Sequence, residues 1–390
     1  MPKIFIVGAT GHIGGAVLEL LYRKYPDVKI RALVRDEGKG ERLRERYQGI
    51  ETVLGDNAAL DVLEREAREA DVVLKSRKLF HLSSLHHIVH NYLRLPDAGP
   101  DVRQEPAISA LLRGLSNRTP KPYYIHTSGG GLIWDEPNGE PTDKIWDDVD
   151  DIQEMQSLPS SYIHATPDAP IHPFLPNPLT RLSQLVFSHS PTIHTAIVSP
   201  TIVYGLSPSH DHPTPVTLPM ALNQIQRLGQ GFTVGPGDNI QAYVHTVDMA
   251  RLYLLLLDQA LSPSPSNPDP SLPIFGPQAY YFAASEELPA RDYMSSLIDA
   301  LTHNQTPSLT LKSSEIIKLD HPEISRSTLT KDPDVNAKVL FGMNMRVKST
   351  RAERVLGWRP VEGGVLEGLR EVVGVWGEGE RSRGAEKGKL

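Results

Sequence analysis

The chain has 390 residues, carries a formal net charge of -7 and contains no cysteine. This length is enough for one large domain, or for two coupled domains, with a buried core. The missing cysteines exclude disulfides, a thiol nucleophile and a cysteine-based metal site, and the acidic balance argues against a nucleic-acid partner. We expect no membrane partner either, because the longest apolar run, 252–257, is too short to cross a bilayer. The first strand leaves no room for a signal peptide, so we expect a cytoplasmic protein.

Short apolar runs alternate with helical patterns along the first half of the chain. We predict strands at 4–7, 29–34, 51–54, 71–74, 123–126 and 195–198. We predict helices that begin at residue 16 and that cover 58–70, 106–115 and 179–188. This alternation implies an α/β fold of the Rossmann type, in which helices cover both faces of a doubly wound parallel sheet.

The second half is less regular, and we expect three parts in all. A Rossmann domain occupies 1–205, and a smaller substrate-side subdomain with returning Rossmann elements occupies 206–376. The polar, Gly-rich residues 377–390 form a disordered tail. Helical patterns in the second part lie at 218–229, 247–261 and 291–302. A Pro-rich loop at 207–215 contains His210, Asp211 and His212, which we expect to be solvated.

The segment 75–104 interrupts the alternation of strands and helices. Its apolar residues have helical spacing, which predicts an amphipathic helix on the surface. His86 and His90 lie one helical turn apart, but no carboxylate or cysteine joins them in sequence, so we expect no metal site. A genuine insertion and translated non-coding sequence both remain open as the origin of this segment.

A glycine-rich turn joins the first predicted strand to the first predicted helix. Gly8 permits a tight turn, Gly11 lets the backbone approach a pyrophosphate, and Gly14 lets helix and strand pack closely. The N-terminus of the helix adds free N–H groups and the positive end of its dipole. A sharp turn without a ligand is the alternative. The residues of the predicted dinucleotide site at this turn are Gly8, Thr10, Gly11, His12, Ile13 and Gly14.

Further motifs follow the other predicted strands. They lie at 32–36, 55–56, 126–129, 199–205, 243–250, 280–283 and 356–360. With these motifs the chain resembles the short-chain dehydrogenase/reductase superfamily, above all its extended and atypical members, the epimerase/dehydratase-like and NmrA-like proteins. The resemblance spans most of the chain and is interrupted at 75–104 and 160–177. It implies a nicotinamide dinucleotide and a small-molecule substrate, and it is compatible with a homodimer.

The resemblance also assigns cofactor roles to residues outside the glycine turn. Arg35 follows the second strand, where a guanidinium matches a 2′-phosphate, so we expect NADP and leave NAD open. Asp56 matches the family residue that accepts a hydrogen bond from adenine, and capping of the next helix is an equal alternative. Leu74, Ser128 and Pro200 match positions that line the nicotinamide side.

The catalytic residues are the weakest part of the resemblance. Enzymes of the superfamily pair a tyrosine with a lysine four residues later, and no tyrosine after the fifth predicted strand has this partner. Ser128 and Tyr162 are the remaining candidates, and Ser128 has an alternative as a hydroxyl that caps nearby backbone. Two functions stay open: an NADP-dependent oxidoreductase or epimerase/dehydratase-like enzyme, and a non-catalytic NAD(P) sensor of the NmrA-like type that regulates a partner.

Overall fold

Seven parallel strands form the central sheet of the computed structural model, which describes residues 1–76, 104–158, 178–304, 309, 311–320 and 333–387. In the order found across the sheet, the strands are β3 (Glu51–Leu54), β2 (Lys29–Val34), β1 (Lys3–Val7), β4 (Val72–Lys75), β5 (Tyr123–Thr127), β7 (His194–Pro200) and β11 (Tyr280–Ala283). All six predicted strands are present, and β11 is an addition. The predicted Rossmann-type α/β fold is confirmed.

Both faces of the inner strands are buried, which explains why β1 and β4 are nearly continuous apolar runs in the sequence. In β1, Ile4 and Ile6 join one hydrophobic cluster, whereas Phe5 and Val7 join the other. Successive side chains of a strand point to opposite faces, so the two clusters lie on the two sides of the sheet. The first side is covered by α1 (His12–Lys24) and α8 (Thr246–Leu261), and the second by α3 (Leu60–Glu69) and α4 (Glu105–Ser116).

The direction in which the chain fills the sheet reverses between β1 and β4. From β1 the chain continues through β2 to β3 on one side, and it then crosses to β4 on the other side. In open parallel sheets, ligands bind at the carboxyl ends of the strands beside such a reversal. The carboxyl ends of β1, β2, β4, β5 and β7 are therefore the edge at which a site is expected.

Three small sheets in the described residues are built mainly from the second half of the chain. They pair β8 (Ile202–Tyr204) with β10 (Ile240–His245) and β12 (Glu286–Pro289), β9 (Gly231–Val234) with β13 (Ile316–Leu319), and β6 (Trp146–Asp147) with β14 (Val347–Lys348). The other described helices are α2 (Glu37–Arg46), α5 (Ile152–Ser157), α6 (Pro178–Ser188), α7 (Thr217–Leu228), α9 (Ala290–Asn304), α10 (Pro333–Gly342), α11 (Thr350–Leu356) and α12 (Val365–Lys387), with a 3₁₀ turn at Gly130–Ile133. Within the described residues, no helix has the length and apolar character needed to cross a bilayer.

The C-terminal helix corrects one prediction. α12 continues through Lys387, so the structure has residues 377–387 in a helix where the sequence predicts a disordered tail. Val365, Leu369 and Val373 anchor the first turns of this helix in the core. A helix that is already nucleated grows by single residues, and the Glu, Arg, Ala and Lys residues that follow are good helix formers. The glycines of this stretch do not end the helix.

Candidate functional site at the carboxyl edge of the sheet

The turn between β1 and α1 requires glycine at two positions for the fold itself. Gly8 has a φ of +96°, a conformation that residues with a side chain rarely adopt. A Cβ on Gly14 would lie 2.1 Å from the carbonyl oxygen of Gly8. The helix can therefore approach the turn this closely only with glycine at position 14. Neither requirement depends on a bound ligand.

Gly11 is different, because neither backbone conformation nor close packing requires a glycine there. It is the N-cap of α1, with φ -79° and ψ 170°, values that any residue can adopt. A Cβ at this position would meet the Gly8 carbonyl oxygen at 3.2 Å and no other atom of the described residues within 4 Å. The bare Cα of Gly11 thus faces open space, which leaves room for a phosphate to approach the backbone.

The first turn of α1 offers an electropositive surface beside this space. The N–H of Gly11 donates to the Gly8 carbonyl at 2.9 Å, and the next N–H groups, those of His12, Ile13 and Gly14, have no acceptor within the helix. No acidic side chain lies in this turn. Free amides and the helix dipole together stabilise an anion, so the turn fits the pyrophosphate of a dinucleotide.

A loop from the second half of the chain lies against this turn. The loop, residues 205–216, connects β8 to α7 and is here called the β8–α7 loop. The Oγ of Ser207 donates to the His12 carbonyl at 2.6 Å, and the Oγ of Ser209 donates to the Thr10 carbonyl at 3.0 Å. A Cβ on Gly15 would lie 2.5 Å from the Cβ of Ser209, which shows how closely loop and helix pack. The sequence analysis did not predict this contact.

His12 is held by the same loop. Its Nδ1 lies 3.1 Å from the carbonyl oxygen of His212, and because that oxygen only accepts, Nδ1 must carry the proton. Burial lowers the pKa of His12 to about 4, so the imidazole is neutral at physiological pH. Nε2 is then the unprotonated nitrogen, and it is buried without a hydrogen-bond partner among the described residues.

The β8–α7 loop also reaches α2 through Asp211. Arg42 donates to Asp211 Oδ1 from Nε at 3.2 Å and from Nη2 at 3.0 Å, and Lys39 Nζ lies 4.0 Å from Oδ2. The side chain of Asp211 is 12% exposed, whereas that of His210 is 71% exposed. The prediction of a solvated loop thus holds for His210 and is wrong for Asp211, because the ion pair encloses its carboxylate.

Arg35 lies at the carboxyl end of β2, as the sequence predicts. It is exposed and makes no hydrogen bond or ion pair with the described part of the chain. Asp36, next to it, is the N-cap of α2 and accepts a hydrogen bond from the Lys39 N–H at 2.9 Å. The guanidinium of Arg35 therefore remains available to an anion, while the neighbouring carboxylate is occupied by the helix.

Asp56 lies at the carboxyl end of β3. Its Oδ1 accepts from the N–H of Ala58 at 2.8 Å, and the residue is exposed. The N-cap of α3 is Ala59, so the alternative that Asp56 caps this helix is wrong. Asp56 closes the turn that precedes the helix, and its second carboxylate oxygen is left for another donor.

The residues predicted for the nicotinamide side lie at the ends of neighbouring strands. Leu74 is buried in β4, Ser128 follows β5 directly, and Pro200 is the last residue of β7. The backbone N–H of Ser128 donates to the Val198 carbonyl at 2.8 Å, which continues the pairing of β5 with β7. Ser128 is buried at the edge of the sheet where a site is expected.

Polar groups that the sequence analysis missed lie beside these residues. Lys75 ends β4, is 1% exposed and donates from Nζ to Gln104 Oε1 at 2.9 Å. It pairs in register with His126 of β5, whose Nδ1 lies 3.2 Å from the hydroxyl of Tyr124. Burial raises the pKa of Tyr124 well above its ordinary value, so this phenol stays protonated. A buried lysine at a strand end has no distinctive local pattern that could have revealed it.

The proton relay of the superfamily is not rebuilt from other described residues. The Tyr-x-x-x-Lys spacing does occur at Tyr25 and Lys29, but Lys29 begins β2, so both lie at the opposite edge of the sheet. The hydroxyl of Tyr25 donates to Asp258, and burial raises the pKa of Tyr25. Tyr162 lies outside the described residues, as do His86 and His90. Among the residues that the structure does describe, no group of three or more His, Asp or Glu side chains is arranged to hold a metal ion.

Comparisons with known proteins agree with this geometry. Residues 2–85, which contain the glycine turn, match the model of the NmrA-like family. The predicted resemblance is confirmed. Along most of its length the chain is also similar to two fungal proteins: "Oxidase ucsJ" of Acremonium sp, 25% identical over 95% of this chain and 96% of the relative, and the uncharacterized protein YLL056C of Saccharomyces cerevisiae, 24% identical over 94% and 98%.

Solved structures share the whole fold. A dTDP-glucose 4,6-dehydratase from Streptomyces venezuelae, solved with NAD and TYD bound, has a TM-score of 0.59 at 17% identity over 95% of both chains. A UDP-glucuronic acid 4-epimerase from Bacillus cereus, in complex with UDP-glucuronic acid and NAD, has a TM-score of 0.57 at 14% identity over 96% of this chain and 98% of the other. The chain therefore shares its fold with this dehydratase and this epimerase.

Proposed function

We propose that this protein binds a nicotinamide dinucleotide, with NADP preferred, at the carboxyl edge of its central sheet and that it is an oxidoreductase acting on a small organic molecule. The observation that carries the proposal is the open face of Gly11 beside three uncapped amides of α1. The fold does not require the open space at Gly11, whereas a pyrophosphate needs both that space and the N–H donors. Two proteins of the same fold, 17% and 14% identical to this chain, were solved with NAD bound. This supports a nicotinamide dinucleotide as the cofactor.

The predicted contact residues fit the rest of such a molecule in chain order. The glycine turn, with Thr10 and His12, would hold the pyrophosphate, and Arg35 would meet a 2′-phosphate on the adenosine ribose. Asp56 would accept a hydrogen bond from the adenine. Leu74, Ser128 and Pro200 would line the nicotinamide end. When bound, a reduced nicotinamide supplies a hydride, and the protein has to supply the accompanying proton.

Ser128 and Tyr162 are our candidates for the proton donor. Ser128 is buried directly after β5, and the described residues supply no Tyr-x-x-x-Lys pair at this edge of the sheet. The relative described as an oxidase, similar over 95% of this chain, favours redox chemistry over epimerisation. The missing relay favours the second candidate function, a dinucleotide sensor that binds without turnover.

Binding and turnover can be tested separately. Calorimetric titration of the purified protein with NADPH and with NADH should show binding, and Gly11→Val should abolish it. Gly368→Val is the matched control, because this glycine of α12 also has open space around it and lies in a different part of the fold. Undiminished binding by Gly11→Val, or no binding by the unaltered protein, would refute the proposal. Loss of reduced-nicotinamide absorbance with a panel of aldehydes and ketones would then identify an enzyme, and binding without turnover on the whole panel would identify a sensor.

A further inference from the structure

The cations nearest the adenosine end of the site are already neutralised by the protein itself. Lys39 and Arg42 lie in the first two turns of α2, directly after Arg35. Both face Asp211, with Arg42 within 3.2 Å and Lys39 at 4.0 Å. Asp36 adds a second carboxylate at 3.8 Å from Lys39. Arg35 is left as the cation of this region that has no carboxylate partner in the described residues.

Asp211 reaches this position from a distant part of the chain. The β8–α7 loop carries it, and hydrogen bonds from Ser207 and Ser209 to backbone carbonyls of the glycine turn hold that loop in place. The loop therefore bridges the turn that would bind the pyrophosphate and the helix that follows the ribose position. One Asp211 oxygen, Oδ2, is buried and has no hydrogen-bond partner among the described residues. Lys39 Nζ faces this oxygen at 4.0 Å as an ion-pair partner, a distance too long for a hydrogen bond.

From this arrangement we propose that Asp211 is a specificity-determining residue that limits the preference of the protein for NADP over NAD. This inference rests on the proposed dinucleotide site. A 2′-phosphate beside Arg35 carries negative charge into the neighbourhood of Asp211, and it competes with Asp211 for Arg42 and Lys39. NAD has a hydroxyl at this position and does not compete. The ion pair therefore lowers the affinity of the protein for NADP and leaves its affinity for NAD unchanged.

The test compares both cofactors on isosteric variants. Asp211→Asn keeps the shape of the side chain and removes its charge, so Arg42 and Lys39 become available to the phosphate. We expect the affinity for NADPH to rise about three- to tenfold, because the pair is partly exposed and solvent screens it. The affinity for NADH should stay within about twofold of the unaltered protein. Asp299→Asn is the control for loss of an acidic ion-pair partner elsewhere, because it removes the more exposed pair with Arg370, between α9 and α12.

The role of Arg42 can be isolated in the same experiment. In the Asp211→Asn background, Arg42→Ala should remove most of the gain in NADPH affinity. Asp211→Ala provides a second neutral side chain if the asparagine variant does not fold. An unchanged or lower ratio of NADPH to NADH affinity in the neutral variant would overturn the inference. Failure of the unaltered protein to bind either cofactor would instead refute the proposed function, so the two failures are distinguishable.

Discussion

In the glycine turn the packing of the fold requires Gly14, whereas Gly11 has space for a ligand. Substitutions at these two positions should therefore have different effects. Gly14→Ala places a Cβ 2.1 Å from the carbonyl oxygen of Gly8 and 2.8 Å from its carbonyl carbon. Both atoms belong to the backbone, so α1 has to move away from β1 to relieve the clash. Overpacking of this kind costs about 1–3 kcal/mol or more. For a chain of 390 residues we expect the Tm to fall by roughly 1–4 °C or more.

Gly11→Ala is the matched substitution three residues earlier. Its Cβ would meet the Gly8 carbonyl oxygen at 3.2 Å, a contact that a shift of a few tenths of an ångström relieves. We therefore expect the Tm of the apoprotein to change by less than about 1 °C, while the stabilisation by NADPH is strongly reduced. Differential scanning calorimetry of both variants, with and without NADPH, measures both effects. An apoprotein of Gly14→Ala as stable as the unaltered protein would refute this reasoning, and so would a Gly11→Ala variant that NADPH stabilises fully.

Three further predictions follow from the same site. Arg35→Ala should weaken NADPH binding about ten- to a hundredfold with little effect on NADH, as measured by titration with both cofactors, and equal effects on the two would contradict the role of Arg35. Because burial lowers the pKa of His12 to about 4, its stabilising contribution is present above about pH 6.5 and is lost as the pH falls toward 4. Urea unfolding at pH 7.5 and at pH 5 measures how much stability each protein loses between the two pH values. His12→Gln should lose less than the unaltered protein, and equal losses would exclude His12 as a cause of the pH dependence. Turnover should be about 10²–10⁴-fold below an efficient enzyme for want of the Tyr/Lys relay, and a steady-state rate near 10 s⁻¹ that survives Ser128→Ala combined with Tyr162→Phe would show that both proton-donor candidates are wrong.

The central sheet could be predicted because its signal is local. A parallel strand that is buried on both faces has to be apolar throughout, and 4–7 and 72–74 show this in a few residues. The glycine turn is equally local, since the fold requires Gly8 and Gly14 within seven residues. β11 (Tyr280–Ala283) is the strand of the central sheet that the sequence analysis does not predict, although tyrosine and phenylalanine favour strands.

The parts of the site that could not be predicted depend on contacts between distant residues. Asp211 lies 169 positions from Arg42, and nothing in the sequence His210-Asp211-His212 distinguishes an enclosed carboxylate from a solvated one. Asp148 is a similar case within the acidic run 147–151. It is fully buried and accepts hydrogen bonds from the N–H groups of Phe282 and Arg351, both at 2.8 Å. Burial raises the pKa of Asp148 to about 8, which its sequence neighbours give no reason to expect.

The proposed choice between NADP and NAD depends on Arg35, which is local to β2, and on Asp211, which comes from a distant loop. Arg35 is placed by its own strand, and its side chain is open to solvent, so the residue alone favours a 2′-phosphate. The strength of that preference depends on how much of the surrounding positive charge is free, and the β8–α7 loop controls this through Asp211. A change in the Pro-rich loop could therefore shift the balance between NADP and NAD without altering any residue of the glycine turn. The proposed NADP preference of this chain should therefore be tested at Arg35 and at the β8–α7 loop together.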